Sequence, residues 1–131
     1  MNNLEDLLIK AVHSDNDAIE FFLSNLGNEN LFEDLLKIVE TSDSGDARME
    51  AAYFISKYEE RIIQSAEKRL LILMDDEWNS VAVHIMIALS RIKSASALNK
   101  IINNRIKPHL YWEAVALENY FIGDINGKTS D

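Results

Sequence analysis

The sequence predicts an all-α protein built from stacked helical hairpins. Three observations carry this. Apolar residues recur with helical spacing along nearly the whole chain, helix breakers are scarce (one proline and four glycines in 131 residues), and one short segment returns four times at near-constant intervals.

The helices follow in order. Leu4, Leu7, Leu8, Ala11 and Val12 form one apolar stripe at i, i+3, i+4, i+7 and i+8. Ile19, Phe22, Leu23 and Leu26 form the next, then Leu31, Leu35, Ile38 and Val39. Asp15 and Asp17 supply a helix start, Gly27 an end and Asn30 the next start. Thr41-Ser42-Asp43-Ser44-Gly45-Asp46 reads as a turn leading into a cap. The resulting map places eight helices at about 3–13, 16–26, 31–41, 46–58, 62–75, 79–92, 95–105 and 109–124. No run alternates apolar and polar residues as a strand would. Short connections imply antiparallel neighbours.

The recurring segments are Phe21-Phe22-Leu23-Ser24-Asn25-Leu26, Tyr53-Phe54-Ile55-Ser56-Lys57-Tyr58, Ile87-Ala88-Leu89-Ser90-Arg91-Ile92 and Tyr120-Phe121-Ile122-Gly123-Asp124-Ile125. Leu23, Ile55, Leu89 and Ile122 are equivalent, at steps of 32, 34 and 33 residues. Ser follows that aliphatic residue in three copies and Gly in the fourth. A unit this small cannot bury its apolar face alone and requires stacked neighbours. Leu23, Ile55 and Leu89 are therefore expected in the core. One domain over residues 1–125 and a frayed polar tail over 126–131 are expected.

Ala47-Arg48-Met49-Glu50-Ala51-Ala52-Tyr53-Phe54-Ile55-Ser56-Lys57-Tyr58 resembles the first helix of a HEAT repeat, roughly Val-Arg-x-x-Ala-Ala-x-Ala-Leu-Gly-x-Ile. Ser80 to Ile92 resembles it in pattern, with Ala82 at the Arg position. The resemblance spans about residues 15–125 and implies a right-handed α-α superhelix, a HEAT-like solenoid of about eight helices. Such proteins are mostly binding scaffolds; bilin lyases and alkylpurine DNA glycosylases share the architecture. In size, charge and fold type the chain is also similar to immunity proteins of bacterial toxin–immunity systems of the contact-dependent inhibition type, which cap a toxin that is often a basic nuclease.

Composition narrows the chemistry. There is no cysteine, which excludes disulfides, thiol nucleophiles and Cys-ligated zinc and suits a reducing compartment. The N-terminus lacks a basic region and cleavage site, and no apolar run approaches the roughly 20 residues of a membrane span. A cytoplasmic protein without membrane contact is expected. The net charge of −9 disfavours direct nucleic-acid binding and favours a basic protein partner, although it equally serves solubility. His13, His84 and His109 are isolated, so no helical metal clamp, bound metal or other cofactor is expected. His84, between Val83 and Ile85, reads as a packed residue. Without a nucleophile elbow or phosphate-binding loop, no enzymatic activity is expected.

The acids cluster at junctions between repeats: Asp15 and Asp17, then Glu40, Asp43 and Asp46, then Asp75, Asp76 and Glu77. Two readings are open. The acids cap helices and offset the helix dipole, or they form a ridge facing a basic partner. Capping accounts for one acid per junction and not for three. Trp78 and Trp112, 34 residues apart, begin first helices of their repeats, and Tyr111 flanks the second. They serve either as interface anchors or as packing between repeats. Asp43, Asp46, Asp75, Asp76, Glu77, Trp78, Tyr111 and Trp112 are thus the candidate partner-binding residues, on an inhibitor that is a monomer paired with one basic toxin or nuclease domain. The alternatives are a non-catalytic adaptor in a larger complex and a HEAT-like enzyme of lyase or glycosylase type.

Overall fold

Short polar side chains mark where four of the described helices begin. A computed structural model describes residues 3–103 of the 131. Its elements are α1 (Asn3–Val12), α2 (Asn16–Leu23), α3 (Glu29–Thr41), α4 (Gly45–Ile55), α5 (Glu60–Ser65), α6 (Glu67–Leu73), α7 (Asn79–Arg91) and α8 (Ala95–Ile102), with no strand among the described residues. The fourth recurring segment, the helix expected over 109–124, Tyr111, Trp112 and the tail lie outside the described residues.

Asp15, Asn28, Ser44 and Ser94 cap α2, α3, α4 and α8, each side-chain oxygen accepting a backbone N–H three residues on. One expected start is therefore corrected: Asn28 rather than Asn30 opens α3. Within the 41–46 turn, Ser44 supplies the cap of α4. At two corners the chain uses left-handed backbone without glycine. Ser14 (φ 68°) and Lys93 (φ 53°) follow α1 and α7, and the next amide bonds five residues back, Asp15 to Lys10 and Ser94 to Leu89. This is the Schellman closure, which glycine normally serves.

The helix expected over 62–75 is two helices. Ala66 leaves helical geometry (φ −110°, ψ 14°) between α5 and α6. The Ser65 hydroxyl donates to the Ile62 carbonyl, a local bond that competes with the helical ladder. The bend lets α5 bury Ile62 and Ile63 while α6 buries Leu70 and Leu73.

Helix α4 packs against α1, α3 and α7. Ala47, Ala51 and Ala52 are small enough for close approach and, with Phe54 and Ile55, are fully buried. The core is one apolar cluster running from Leu8 to Ile101. Phe22 stacks on Phe54 at 4.6 Å, and Phe32 meets Tyr58 edge-on at 5.0 Å.

Ile55 and Leu89 are buried as the recurrence predicts, but Leu23 is 44% exposed. In α2 the neighbouring Phe22 enters the core instead. The flanks of Phe22 carry Phe21 and Leu23, both exposed, while Phe22 itself stacks on the Phe54 ring. The recurring serine has a physical role in the inner copies. Ser56 and Ser90 are buried, and their hydroxyls donate to the carbonyls of Tyr53 and Ile87 three residues back.

Basic side chains bind successive helices by donating to carbonyls at the ends of earlier ones. Arg48 reaches the Val39 carbonyl at the end of α3, Arg91 the Ser56 carbonyl after α4, and Lys100 the Leu71 carbonyl in α6. Cations there also offset the negative end of the helix dipole. Arg69 on α6 spans Glu33 and Glu40 on α3, and holds the Glu33 carboxyl below its ordinary range.

Candidate binding site

The loops before α4 and α7 meet through Gly45 and Trp78. A methyl group added at Gly45 would lie 2.8 Å from the Trp78 ring, so the indole rests directly on the glycine that opens α4. Trp78 is nevertheless 53% exposed. One side of the indole thus packs against the start of α4, and the other faces solvent.

The five acids among the candidate partner-binding residues divide into two sets. Asp43, Asp46 and Glu77 are exposed, with no ion pair or side-chain hydrogen bond among the described residues. Asp43 and Asp46 are not caps, because Ser44 performs that role. The expectation for Asp76 is corrected. Its side chain is 8% exposed, pairs with Arg48, and accepts the Trp78 amide at 2.9 Å. It holds α4 to the α6–α7 loop through an internal ion pair. Asp75 is intermediate: it pairs with Lys100 at 2.9 Å and keeps 43% of its side chain exposed. Three consecutive carboxylates diverge here because two have internal cations. No group of three metal-ligating side chains occurs among the described residues.

Sequence reasoning missed a second feature. A groove of about 340 Å³ opens between α2, α4 and α7, lined by Ile19, Met49, Glu50, Tyr53, Phe54 and His84. Met49 and Glu50 each reach the groove beside Tyr53, which lies four and three residues further along α4. Tyr53 meets the His84 ring edge-on at 5.5 Å, and the Lys57 ammonium lies 5.3 Å from the Tyr53 ring centre. Burial raises the Glu50 pKa above its ordinary value. Burial, aided by the Lys57 charge, lowers that of His84, whose buried Nδ1 has no hydrogen-bond partner among the described residues. The signal was in the repeat register: Glu50 and His84 lie 34 residues apart, at equivalent positions of adjacent repeats.

No family model, no curated protein and no solved structure matches this chain. Among the described residues, no helix is long and apolar enough to cross a membrane. The class defined here is a protein all-helical over its described residues, with a half-exposed tryptophan set among acids that have no partner among those residues.

Proposed function

We propose that this chain is a non-catalytic protein-binding inhibitor with the right-handed, HEAT-like α-α solenoid its repeats imply, and that it neutralises a basic toxin domain such as a nuclease in the manner of an immunity protein. The observation that carries this reading is the exposed face of Trp78, seated on Gly45 and flanked by the unpaired Asp43, Asp46 and Glu77. A rigid aromatic ring among unpaired charges is the usual form of an interface anchor. Charge distribution supports the same conclusion. Arg48, Arg61, Arg69, Arg91 and Lys100 all have acidic partners within the chain, and among the described residues no base pairs with Asp43, Asp46 or Glu77. Opposite potential on a partner speeds encounter and selects against acidic competitors.

The test uses the polypeptide encoded directly upstream of this chain's gene, purified and assayed for nuclease or other toxic activity. Loss of that activity at equimolar chain, with an association rate that falls as salt rises, is the expected result. An upstream product that neither binds nor is inhibited removes the basis for the immunity reading.

A further inference from the structure

The groove between α2, α4 and α7 has a chemical asymmetry. Its walls are apolar, from Ile19 and Met49, and the fully buried Phe54 closes it from below. Glu50 is partly buried in it without a hydrogen bond or ion pair among the described residues. Withdrawing a carboxylate from water without a compensating cation is unfavourable. Lys57 does not compensate it. That ammonium lies over the Tyr53 ring, and the raised pKa of Glu50 has burial as its cause, with no opposing pull from a neighbouring base.

The same contact shows that the Tyr53 ring attracts a cation. The volume, about 340 Å³, is near the bottom of the roughly 300–1,000 Å³ range of small-molecule sites, and suits one long side chain. The groove is also continuous with the acidic rim. Asp46 and Glu50 lie one turn apart on the same face of α4, as do Ser80 and His84 on α7.

We propose that this groove is an anchor pocket for one arginine side chain of a basic protein partner, with its methylenes between Ile19 and Met49 and its guanidinium against Glu50 and the Tyr53 ring. Arginine fits better than lysine. Its guanidinium is more weakly hydrated, stacks on aromatic rings and pairs with a carboxylate through two parallel hydrogen bonds. His84, its pKa lowered, adds no positive charge near pH 7, and the guanidinium would displace the Lys57 ammonium from the Tyr53 ring. This inference rests on the reading that the partner is basic, but the pocket is testable without that partner.

The full chain, carrying ¹³C-methyl methionine, is titrated with N-acetyl-arginine methylamide, with the lysine analogue and with the norleucine analogue, while the Met49 methyl resonance is followed. The expected result is a saturable Met49 shift with the arginine probe, weaker binding of the lysine probe and none of norleucine. Glu50→Gln weakens the arginine probe at least about fivefold, as loss of a charge-assisted pair implies. Tyr53→Leu also weakens it, and Asp43→Lys with Glu77→Lys leaves it within about twofold because those residues lie outside the groove. Circular dichroism verifies that each variant is folded. The proposal is overturned by an unmoved Met49 resonance, by norleucine binding as well as arginine, by a preference for lysine, or by unchanged binding to both Glu50→Gln and Tyr53→Leu. Arginine binding here, together with failure of any basic protein to associate, would overturn the immunity reading and leave the pocket standing.

Discussion

Arg48, at the first turn of α4, donates to the Val39 carbonyl at 2.8 Å and closes an ion pair with Asp76, 28 residues further along the chain. The two side chains are only 13% and 8% exposed. One arginine thereby joins the end of α3, the start of α4 and the loop before α7.

Breaking that pair leaves a charge in a poorly hydrated site. Asp76→Asn or Arg48→Met is expected to cost roughly 3 kcal/mol by urea denaturation. The double variant Arg48→Met/Asp76→Asn is expected to lose less than the sum of the singles, since neither charge is then stranded. Additive losses would mean that the two residues do not interact.

The same pair changes how the acidic rim is to be tested. Reversing Asp75, Asp76 and Glu77 together would disrupt the pairs with Lys100 and Arg48 and confuse stability with binding. The informative variant is Asp43→Lys/Asp46→Lys/Glu77→Lys, because these acids are exposed and unpaired among the described residues. It is expected to slow association with a basic partner about tenfold or more at low salt, with helical content unchanged. Trp78→Ala is expected to accelerate dissociation instead. Surface plasmon resonance over a salt series separates the two effects.

Core substitutions should reveal the difference between the repeats. Ile55→Ala and Leu89→Ala remove fully buried side chains and are expected to cost about 2–5 kcal/mol. Leu23→Ala, at the exposed flank of α2, is expected to cost less than about 1 kcal/mol. Tyr58→Phe is expected to be neutral or stabilising by about 1 kcal/mol, because the buried Tyr58 hydroxyl has no partner among the described residues. Burial alone pushes its pKa up to about 12. Thermal and urea unfolding of the four variants checks the ranking.

Glu50 and His84 give stability opposite pH slopes. Glu50 titrates above its ordinary 4.5 in the folded chain, so its contribution is present below that value and is lost as pH rises through the raised pKa. His84 titrates below its ordinary 6.5, so its contribution is present above 6.5 and is lost as pH falls through the depressed pKa. Lys57 lies beside both Tyr53 and His84 and adds to the cost of protonating the imidazole. Glu50→Gln is expected to stabilise the chain at pH 7, with the gain vanishing towards pH 4. His84→Gln is expected to flatten the loss of stability below pH 6.5. Unfolding free energies at half-unit pH intervals test both signs.

The Schellman corners allow a backbone test. Ser14 adopts a left-handed conformation without the freedom of glycine. Ser14→Gly is expected to stabilise by about 1 kcal/mol, the cost of left-handed geometry for a side-chain-bearing residue. An unchanged melting temperature would mean that the Ser14 side chain contributes as much as the strain removes.

Helical type was legible across the described residues, because i, i+3, i+4 apolar spacing is a local property of the chain; helix number was not, since seven helices were expected there and eight are present. The recurrence that puts Ile55 and Leu89 in equivalent buried places was legible too. The break at Ala66 was not legible, since Ser65 and Ala66 carry no glycine or proline and the bend depends on which faces α5 and α6 bury. The breaks at Ser14 and Lys93 fall between the expected helices, but their left-handed backbone was not legible, because glycine usually marks it and is absent.

Local spacing and composition by themselves determined an all-helical chain, its repeat period, its capped junctions and its excess of acid. Only tertiary structure decided which acids remain exposed. Asp76 and Asp43 look alike in sequence, but Asp76 meets Arg48 and becomes internal structure, while Asp43 meets no cation among the described residues and remains exposed. The groove beside Glu50 and His84 likewise needed three helices brought together. Backbone periodicity is encoded within a few residues of each position. Charge pairing and concavity depend on neighbours about 30 residues away, which only packing brings into contact.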